Sequence, residues 1–422
     1  MKIQPSVSVS PARQHTAFVV AWCLAAVFYF LEYASRSSPA VMLPELMRAF
    51  GVDALGVSSI LGTYYYTYSV TSLVAGVLLD RLGARYVVPA GMLILAIGCL
   101  LFAMPQANAG TAGRLLQGAG SAFAFTGAVY LASRGFSATR LATVIGFTQC
   151  LGMLGGSMGQ LAVGPLIHGM VSIPQFWNAM GAIVLLVGVA LLAMTPTESR
   201  AGLASEPGGF LAPYKVVLSN PQSYLCGIVA GLLFVPTTIG DMVWGVRFFQ
   251  LDRQFSYHDA VLAISMVPLG WVFGCPLFGW LADALGRRKV ALIAGASLML
   301  VCALQLTWLP DLIPNWATLL LFGVASGSAM IPYTIIKEAN PDRVKGSATG
   351  AINFITFSVT ALVGPVFARK LGNTVGSSLV DPRVHFFHSA EFWVIVIAVG
   401  IVVSFFLHET GPGAKSPGSA SG

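Results

Sequence analysis

Charged residues are scarce in this sequence. Only 9% of its 422 residues are Asp, Glu, Lys or Arg, whereas 56% are hydrophobic and the mean hydropathy is +0.78. Because about 25% of the residues of a typical soluble domain are charged, this composition excludes a water-soluble globular protein. It predicts an integral membrane protein.

Residues that hold metals or perform nucleophilic chemistry are also few. The six cysteines lie singly within apolar stretches, and the six histidines lie at the ends of those stretches or between them. Neither set has the spacing of a metal site or a catalytic triad. We therefore expect no metal, no cofactor and no enzymatic activity. The formal net charge is +7, but the basic residues are scattered singly, so nucleic acid is not an expected partner.

Long apolar stretches are abundant. A helix of about 20 apolar residues crosses the hydrocarbon core of a bilayer, and it satisfies its own backbone hydrogen bonds there. We therefore predict an all-α membrane protein with twelve transmembrane helices. The predicted spans are residues 16–40, 55–79, 86–104, 111–133, 141–169, 176–194, 224–249, 260–282, 290–309, 314–336, 346–368 and 392–407.

Polar segments divide these spans into two sets of six. We predict a cytoplasmic N-terminal segment (1–15), a six-helix bundle (16–194), a cytoplasmic linker (195–223), a second bundle (224–407) and a disordered cytoplasmic tail (408–422). Lys and Arg are more frequent at the two ends and in every second loop, which by the positive-inside rule places both termini in the cytoplasm. The expected location is the cytoplasmic (inner) membrane.

One charged segment occurs twice, about half a chain apart. Residues 76–85 read GVLLDRLGAR and are named here the first charged loop; residues 279–289 read GWLADALGRRK and are the second charged loop. Gly279 follows Gly76 by 203 residues. A repeat of this length predicts two parallel halves with the same architecture.

These loops carry a family resemblance. Both resemble the signature G-x-x-x-D-(R/K)-x-G-R-(R/K) of the major facilitator superfamily, with departures at Ala84 and Ala284, and residues 114–118 (RLLQG) resemble its second motif, R-x-x-Q-G. The resemblance covers nearly the whole chain. It implies a secondary transporter in which two six-helix bundles rock about a substrate site between them. A similarity to the organophosphate and organic-anion permease branch rests mostly on Arg36.

The charged loops are predicted to form a cytoplasmic gate. We expect Gly76 and Gly279 to allow close approach of helices, and Gly83 and Gly286 to permit tight turns. The aspartates can accept hydrogen bonds from arginine or from a helix N-terminus. The residues assigned to this gate are Gly76, Asp80, Arg81, Gly83, Arg85, Gly279, Asp283, Gly286, Arg287 and Arg288.

The first predicted span has a polar face. Tyr29, Glu32, Tyr33 and Arg36 are spaced so that they share one side of a helix, and Glu32 and Arg36 form an i, i+4 pair of opposite charge. In one interpretation the pair only neutralises itself within the membrane. In the other, Arg36 binds a carboxylate or phosphate of the substrate, and Glu32 takes a proton.

Five further residues are candidates on other spans. Asp241, with Trp244 three residues later, lies 38 residues before the second charged loop, as Arg36 lies 40 before the first; the alternative is a solvated position at the outer mouth. Tyr64 and Tyr68 either pack or donate to an anion. Arg114 has two interpretations. Either its side chain extends to the membrane surface, or, as the resemblance implies, it takes part in proton transfer or substrate binding.

Together these features predict a proton-coupled secondary transporter of a small organic anion that acts as a monomer in the lipid bilayer. Efflux of amphiphilic or cationic compounds is an alternative, with Glu32 and Asp241 as ligands. Uptake of a neutral solute or metal chelate is another, and a transporter-like ligand sensor is a third. The sequence has no Walker-type nucleotide loop, so we do not expect ATP-driven transport by this chain alone.

Overall fold

The computed structural model describes residues 11–136, 138–197, 212–251, 253–308, 312–341, 344–375 and 382–411. Residues 1–10, most of the predicted linker (198–211) and most of the predicted tail (412–422) lie outside the described part of the chain, as does the side chain of Asp80. Within the described ranges the protein is built from helices and has no β-strand.

The first half contains eight helices, of which α2 and α7 are short. Their bounds are α1 Pro11–Ser37, α2 Leu43–Phe50, α3 Ala54–Leu82, α4 Ala84–Phe102, α5 Ala107–Gly135, α6 Ala138–Leu161, α7 Val163–Gly169 and α8 Ile173–Met194. The predicted fifth span is therefore an interrupted helix, because Ala162 separates the end of α6 from the start of α7.

The second half begins with a short helix inside the predicted linker. Its helices are α9 Ala212–Leu218, α10 Pro221–Val235, α11 Gly245–Leu251, α12 Tyr257–Leu285, α13 Arg288–Thr307, α14 Asn315–Ser326, α15 Ile331–Glu338, α16 Lys345–Val375 and α17 Pro382–Ser404. Between α10 and α11 the chain forms a π-helical turn at Pro236–Asp241, and between α14 and α15 it forms a 3₁₀ turn at Gly327–Met330. Both turns interrupt predicted spans.

Ten helical segments within the described ranges are long and apolar enough to cross a membrane. The two remaining predicted spans correspond to α3 and to α17, whose described apolar part is Ala390–Ser404. Each predicted span thus has a helical counterpart. The number of membrane crossings, twelve, stays a prediction.

The two halves repeat the same helical hairpin. Tyr257 follows Ala54, and Leu285 follows Leu82, by 203 residues, so α12 has the bounds of α3 shifted by the interval that separates the charged loops. In each copy a glycine with positive φ ends the long helix: Gly83 has φ 74° and Gly286 has φ 60°. Only glycine adopts this backbone conformation readily.

The halves meet along two pairs of long helices, α3 with α16 and α6 with α12. Hydrogen bonds cross the second pair: the Ser157 hydroxyl donates to the carbonyl of Ser265 at 2.9 Å, and the Cys150 thiol contacts the carbonyl of Val272 at 3.3 Å. Within the first half α4 and α5 form the closest pair, and within the second α12 and α14 do.

The predicted packing role of the glycines that open the charged loops is wrong in this conformation. A Cβ atom placed on Gly279 would have no heavy atom within 4 Å, and one on Gly76 would have only the Tyr214 hydroxyl, at 3.5 Å. Neither glycine therefore lies at a tight helix crossing.

Arginines of the charged loops bond within their own halves. Arg85 donates to the carbonyl of Thr195 and to the hydroxyl of Thr197, both at 3.0 Å. Arg288 pairs with Asp283 of the same loop and, at 3.0 Å, with Glu338 at the end of α15. These contacts fix the ends of helices to one another inside each bundle.

Candidate functional site

Arg36 and Glu32 form an ion pair in the interior. Arg36 is 2% exposed and Glu32 is fully buried, and a guanidinium nitrogen of Arg36 donates to Glu32 Oε1. Tyr64 on α3 connects to both: its hydroxyl donates to Glu32 Oε1, and it accepts from Arg36 Nε at 3.2 Å. Glu32 and Arg36, two residues of the polar face predicted on α1, therefore form a hydrogen-bonded triad with Tyr64 of α3.

Aromatic rings surround the Arg36 guanidinium. Its central carbon lies 4.4 Å from the ring centroid of Tyr33, 4.8 Å from that of Tyr68 and 5.1 Å from that of Tyr64. The ring of Phe357, on α16 of the second half, lies at 5.3 Å. Rings at these distances stabilise a cation through their electron-rich faces. The second half thus completes the enclosure of a charge that the first half supplies.

A second buried arginine lies on the other side of Tyr64. Arg114 is 2% exposed, and its Nη1 donates to Gln117 Oε1 at 2.7 Å and to the carbonyl of Ser35 at 3.4 Å. Its guanidinium carbon is 4.8 Å from the centroid of the Tyr64 ring. The interpretation that Arg114 extends to the membrane surface is therefore wrong. Close packing of α3 on α5 allows this arrangement, since a Cβ on Gly118 would lie 2.1 Å from the Tyr64 carbonyl oxygen.

This cluster, here called the arginine cluster (Glu32, Arg36, Tyr64 and Arg114), carries more positive than negative charge. It holds two guanidinium groups and one carboxylate. Three of its buried polar atoms have no hydrogen-bond partner among the described residues: Glu32 Oε2, Arg36 Nη1 and Arg114 Nε. Buried polar atoms are nearly always satisfied in proteins, so the cluster has unused capacity to bind a polar ligand.

The space beside the cluster lies between the two halves and is almost closed. A cavity of about 10 Å³, the size of about one water molecule, is lined by residues of both halves. The lining residues are Tyr29, Tyr33, Tyr68, Phe125, Gln149, Phe234, Met330, Tyr333, Asn353 and Phe357. Tyr29 donates to Gln149 Oε1 at 3.0 Å, and Tyr333 donates to Asn353 Oδ1 at 2.7 Å. This conformation is closed around the site.

Asp241 and Trp244 occupy a different place. Both are buried, at 6% and 3% exposure, and both line a cavity of about 100 Å³ inside the second half. Asp241 accepts a hydrogen bond from Gln160 Nε2 on α6 at 3.2 Å. The alternative of a solvated Asp241 is therefore wrong. Asp241 bonds to Gln160, and the Trp244 ring packs on Phe367 with 6.2 Å between ring centroids, so the contacts described for these two residues lie apart from the Arg36 ion pair.

Several residues of the two sites were not among the sequence candidates. Phe357 closes the aromatic enclosure, and its sequence context, an apolar span, gives no signal for that role. Gln160 likewise has no local signal. Gln117 could have been found, because it belongs to the R-x-x-Q-G motif and sits one helical turn from Arg114. In the described part of the chain no three His, Cys, Asp or Glu side chains come close enough to hold a metal ion.

Comparison with known proteins agrees with this architecture. The chain is 24% identical over 390 residues to the membrane sensor protein UhpC of Salmonella typhimurium, covering 85% of each chain. It is 23% identical over 451 residues to the probable galactarate/D-glucarate transporter GudP of Bacillus subtilis, covering 95% of this chain and 94% of GudP.

Its fold is similar to the crystal structure of a bacterial homologue of the human lysosomal transporter Spinster in an inward-facing, unoccupied conformation. The TM-score is 0.72 at 14% sequence identity, covering 95% of this chain and 98% of that one. The family model described as Major Facilitator Superfamily matches residues 25–365, which is most of the chain. The protein is therefore a multi-pass membrane protein that belongs to the Major Facilitator Superfamily of transporters.

Proposed function

We propose that this protein is a proton-coupled secondary transporter that moves a small organic anion across the cytoplasmic membrane by alternating access. The observation that carries the proposal is the arginine cluster, in which two buried guanidinium groups face one carboxylate beside a cavity shared by the two halves. An uncompensated buried charge is costly. A bound anion would supply the missing negative charge.

Arginine suits this role because its planar fork of donors matches a carboxylate or phosphate group. The unpartnered atoms Arg36 Nη1 and Arg114 Nε are donors of this kind. The relative GudP, whose name assigns it to galactarate and D-glucarate, supports the class, since both compounds are sugar dicarboxylates. The substrate we infer is a small hydroxylated anion whose negative group binds at the arginine cluster.

Proton coupling follows from competition for one guanidinium. Glu32 and a substrate anion would both use Arg36 as their partner. When Glu32 takes a proton it loses its charge, and Arg36 becomes free to bind the anion. Binding of the anion and binding of a proton therefore favour each other, which is the condition for symport.

The halves proposed to move are residues 16–194 and 224–407, joined by the linker 195–223. We place both termini in the cytoplasm and propose that the monomer is the transporting unit, with the charged loops as its cytoplasmic gate. In the closed conformation the substrate cavity is collapsed to about 10 Å³. Rocking of the halves would open it first to one side of the membrane and then to the other.

The test is uptake by proteoliposomes offered D-glucarate, D-gluconate, glycerol 3-phosphate, amino acids or cationic dyes, with and without a pH gradient. We expect at least one anion to accumulate with the gradient. Arg36→Lys should keep the charge but lose the fork and lower uptake at least ~10-fold, as expected for loss of a hydrogen bond to a charged group worth about 1.5–3 kcal/mol. Glu32→Gln should still exchange the anion across the membrane but respond less to the gradient than the wild type does.

The double variant Glu32→Gln/Arg36→Gln is the folding control, because it removes both charges of the ion pair together and leaves neither of them without its partner. It should be recovered folded but inactive. The proposal would be overturned if the protein transports dyes but no anion and if Arg36→Lys transports those dyes as well as the wild type does.

A ligand sensor is the second candidate, favoured by the similarity to the sensor protein UhpC. It predicts that the protein binds an anion of the panel, as seen by thermal stabilisation, without flux of any compound. Flux of an anion through wild-type protein excludes a purely sensory role.

A further inference from the structure

The second half contains a buried carboxylate on an irregular turn. Asp241 ends the π-helical turn that begins at Pro236. The N–H of Met242 donates to the carbonyl of Thr237, five residues earlier, at 3.0 Å, which is the hydrogen-bond pattern of a π-helix. Proline starts the irregularity because it has no N–H to donate. Such turns are frequent at functional sites in transmembrane and soluble helices alike.

The surroundings of Asp241 are apolar. It lines the 100 Å³ cavity of the second half together with aromatic side chains such as Trp244, Phe322 and Trp393, and it is the one charged group among the described residues that line it. Its carboxylate has a single hydrogen-bonded partner in the described part of the chain, the amide of Gln160. A charge buried without a counter-ion is costly, so the site requires a cation or a proton.

No neighbouring charged group fills that requirement. The ionisable residues that the structure describes on the helices packed around the turn are Cys150 on α6, Tyr224 and Cys226 on α10, Arg247 on α11, Tyr257, His258, Asp259, Cys275 and Asp283 on α12, Arg369 and Lys370 on α16, and Glu391 on α17. None of these lines the cavity, and no ion pair joins Asp241 to any described residue. The Tyr257 hydroxyl is directed instead to the carbonyl of Val41.

The chemistry of the cavity selects the proton. A metal cation such as Ca²⁺ or Mg²⁺ takes about six or more oxygen ligands, whereas the oxygen-bearing side chains that line this cavity are those of Asp241 and Thr307. A cavity of about 100 Å³ is smaller than the ~150 Å³ that accommodates benzene, so an organic cation the size of benzene or larger does not fit. A proton needs one oxygen atom and no additional volume.

We propose that Asp241 is a second proton site, separate from Glu32, so that two protons cross the membrane with each anion. This inference rests on the proposed function. Asp241 Oδ takes a proton from water on one side of the membrane, carries it as a neutral carboxylic acid while the halves rock, and releases it as H⁺ to water on the other side.

Gln160, on α6 of the first half, can form a hydrogen bond with Asp241 whether Asp241 is ionised or protonated. Its Nε2 donates to the ionised carboxylate at 3.2 Å, and its Oε1 has no partner among the described residues. After rotation of the amide, Oε1 can accept from a protonated Asp241. Because hydrogen bonds to ions are about twice as strong as neutral ones, protonation weakens this contact between the halves and favours their separation.

The experiment measures anion accumulation in proteoliposomes with the membrane potential clamped at zero and a pH gradient of one unit. The probe is whichever of D-glucarate, D-gluconate and glycerol 3-phosphate the wild type accumulates. Each coupled proton supports a tenfold gradient, so two protons predict ~100-fold accumulation and one predicts ~10-fold. Wild type should reach the higher value and Asp241→Asn the lower one, with anion exchange retained.

Two variants serve as controls. Asp259→Asn removes an exposed carboxylate on α12, bonded to Ser256, and should stay at ~100-fold. Asp241→Glu keeps a protonatable group and should exceed the value for Asp241→Asn. As a measurement independent of substrate, infrared difference spectra between two pH values should show carboxylic-acid C=O bands in wild type and Asp259→Asn, of which one is missing in Asp241→Asn while the band of Glu32 remains.

The outcomes separate the two proposals. If wild type accumulates no anion, the proposed function fails. If wild type accumulates an anion only ~10-fold, or if Asp241→Asn keeps the wild-type accumulation, or if that variant binds the anion without exchanging it, the second proton site is overturned while transport stands. If Asp241→Asn is not recovered folded, the wild-type accumulation still decides, since ~100-fold accumulation is predicted for the unmodified protein.

Discussion

At the scale of single residues, Tyr64 is the connecting side chain of the arginine cluster. Its hydroxyl bonds to Glu32 and Arg36, and its ring lies between the guanidinium groups of Arg36 and Arg114, at 5.1 and 4.8 Å. The neighbouring Tyr68 ring stacks on it at 5.7 Å, but no hydrogen bond of the Tyr68 hydroxyl joins it to the described residues. The two tyrosines, one helical turn apart, therefore have different roles.

This difference predicts different effects of removing one oxygen atom. Tyr64→Phe loses its bonds to two charged groups, and loss of one such bond, worth about 1.5–3 kcal/mol, already lowers anion uptake ~10- to 100-fold, so we expect a loss of at least ~10-fold. Tyr68→Phe keeps the ring that faces Arg36 and should change uptake less than ~3-fold. Initial uptake rates in proteoliposomes, normalised to the folded protein recovered, make the comparison. Equal loss in both variants would contradict this assignment.

Local spacing predicts part of the site, and packing decides the rest. The i, i+4 pair of Glu32 and Arg36 could be predicted because it lies within one helix. Phe357 and Gln160 could not, because their partners lie far away in the chain, 81 residues in the case of Gln160 and Asp241, and depend on how the halves meet. The burial of Arg114 was open for the same reason: its distance along α5 fixes its depth but not which neighbours surround it.

At the scale of elements, α6 owes its fit against α1 to glycine. A Cβ atom on Gly155 would lie 2.1 Å from the carbonyl oxygen of Phe30, and one on Gly152 would lie 2.4 Å from the Tyr29 ring. Close approach of the two helices positions Tyr29 and the ion pair one turn further along α1. Gly146, on the same helix, has open space instead.

The glycines of α6 therefore predict unequal effects of adding one methyl group. Gly155→Ala overpacks the α1–α6 contact, and we expect a loss of about 1–3 kcal/mol that appears as a lower denaturation temperature in detergent and lower anion uptake. The matched change Gly146→Ala should be neutral or slightly stabilising, since alanine is favoured over glycine in helices by up to about 1 kcal/mol. A Gly155→Ala protein as stable as Gly146→Ala would show that the helices separate easily.

The sequence predicts that the apolar stretches are helices, but it does not predict where those helices are interrupted. The apolar stretches predict helices because lipid leaves no other partner for the backbone. The π-helical turn at Pro236–Asp241 depends on where Pro236 falls relative to the packing of α12 and α16, which hydropathy does not record. The short helix α9 in the predicted linker was missed because its polar flanks resemble a loop.

At the scale of the whole molecule, two tyrosines join the halves at opposite ends. Tyr257, at the start of α12, donates to the carbonyl of Val41 at 2.7 Å, at the end predicted to face outward. Tyr214, on α9, donates to the carbonyl of Leu73 at 2.8 Å, near the first charged loop. Because α9 packs on α10 and α16, this bond ties the second half to α3 at the cytoplasmic end.

Removing either hydroxyl should shift the conformational equilibrium in opposite directions. A neutral hydrogen bond contributes about 1 kcal/mol, which corresponds to a change of about fivefold in the ratio of two states. Tyr257→Phe should increase the outward-open population, and Tyr214→Phe the inward-open population. Distances between spin labels on exposed positions report both ends.

The outer pair of labels would replace Arg48 and His258, and the inner pair Leu82 and Leu285, all exposed and one on each half. Tyr257→Phe should lengthen the outer distance, and Tyr214→Phe the inner one. A shift in the same direction for both variants would mean that the two bonds do not act on opposite gates.

The equal spacing of α3 and α12 also bears on descent. Two long helices that begin and end 203 residues apart are what a tandem duplication leaves when there has been no net insertion or loss of residues between those points. The charges are not duplicated: 203 residues after Glu32 and Arg36 stand Val235 and Ile239. The helical framework is therefore repeated while the chemistry is divided, with the ion pair on one half and the Phe357 ring that faces Arg36 on the other.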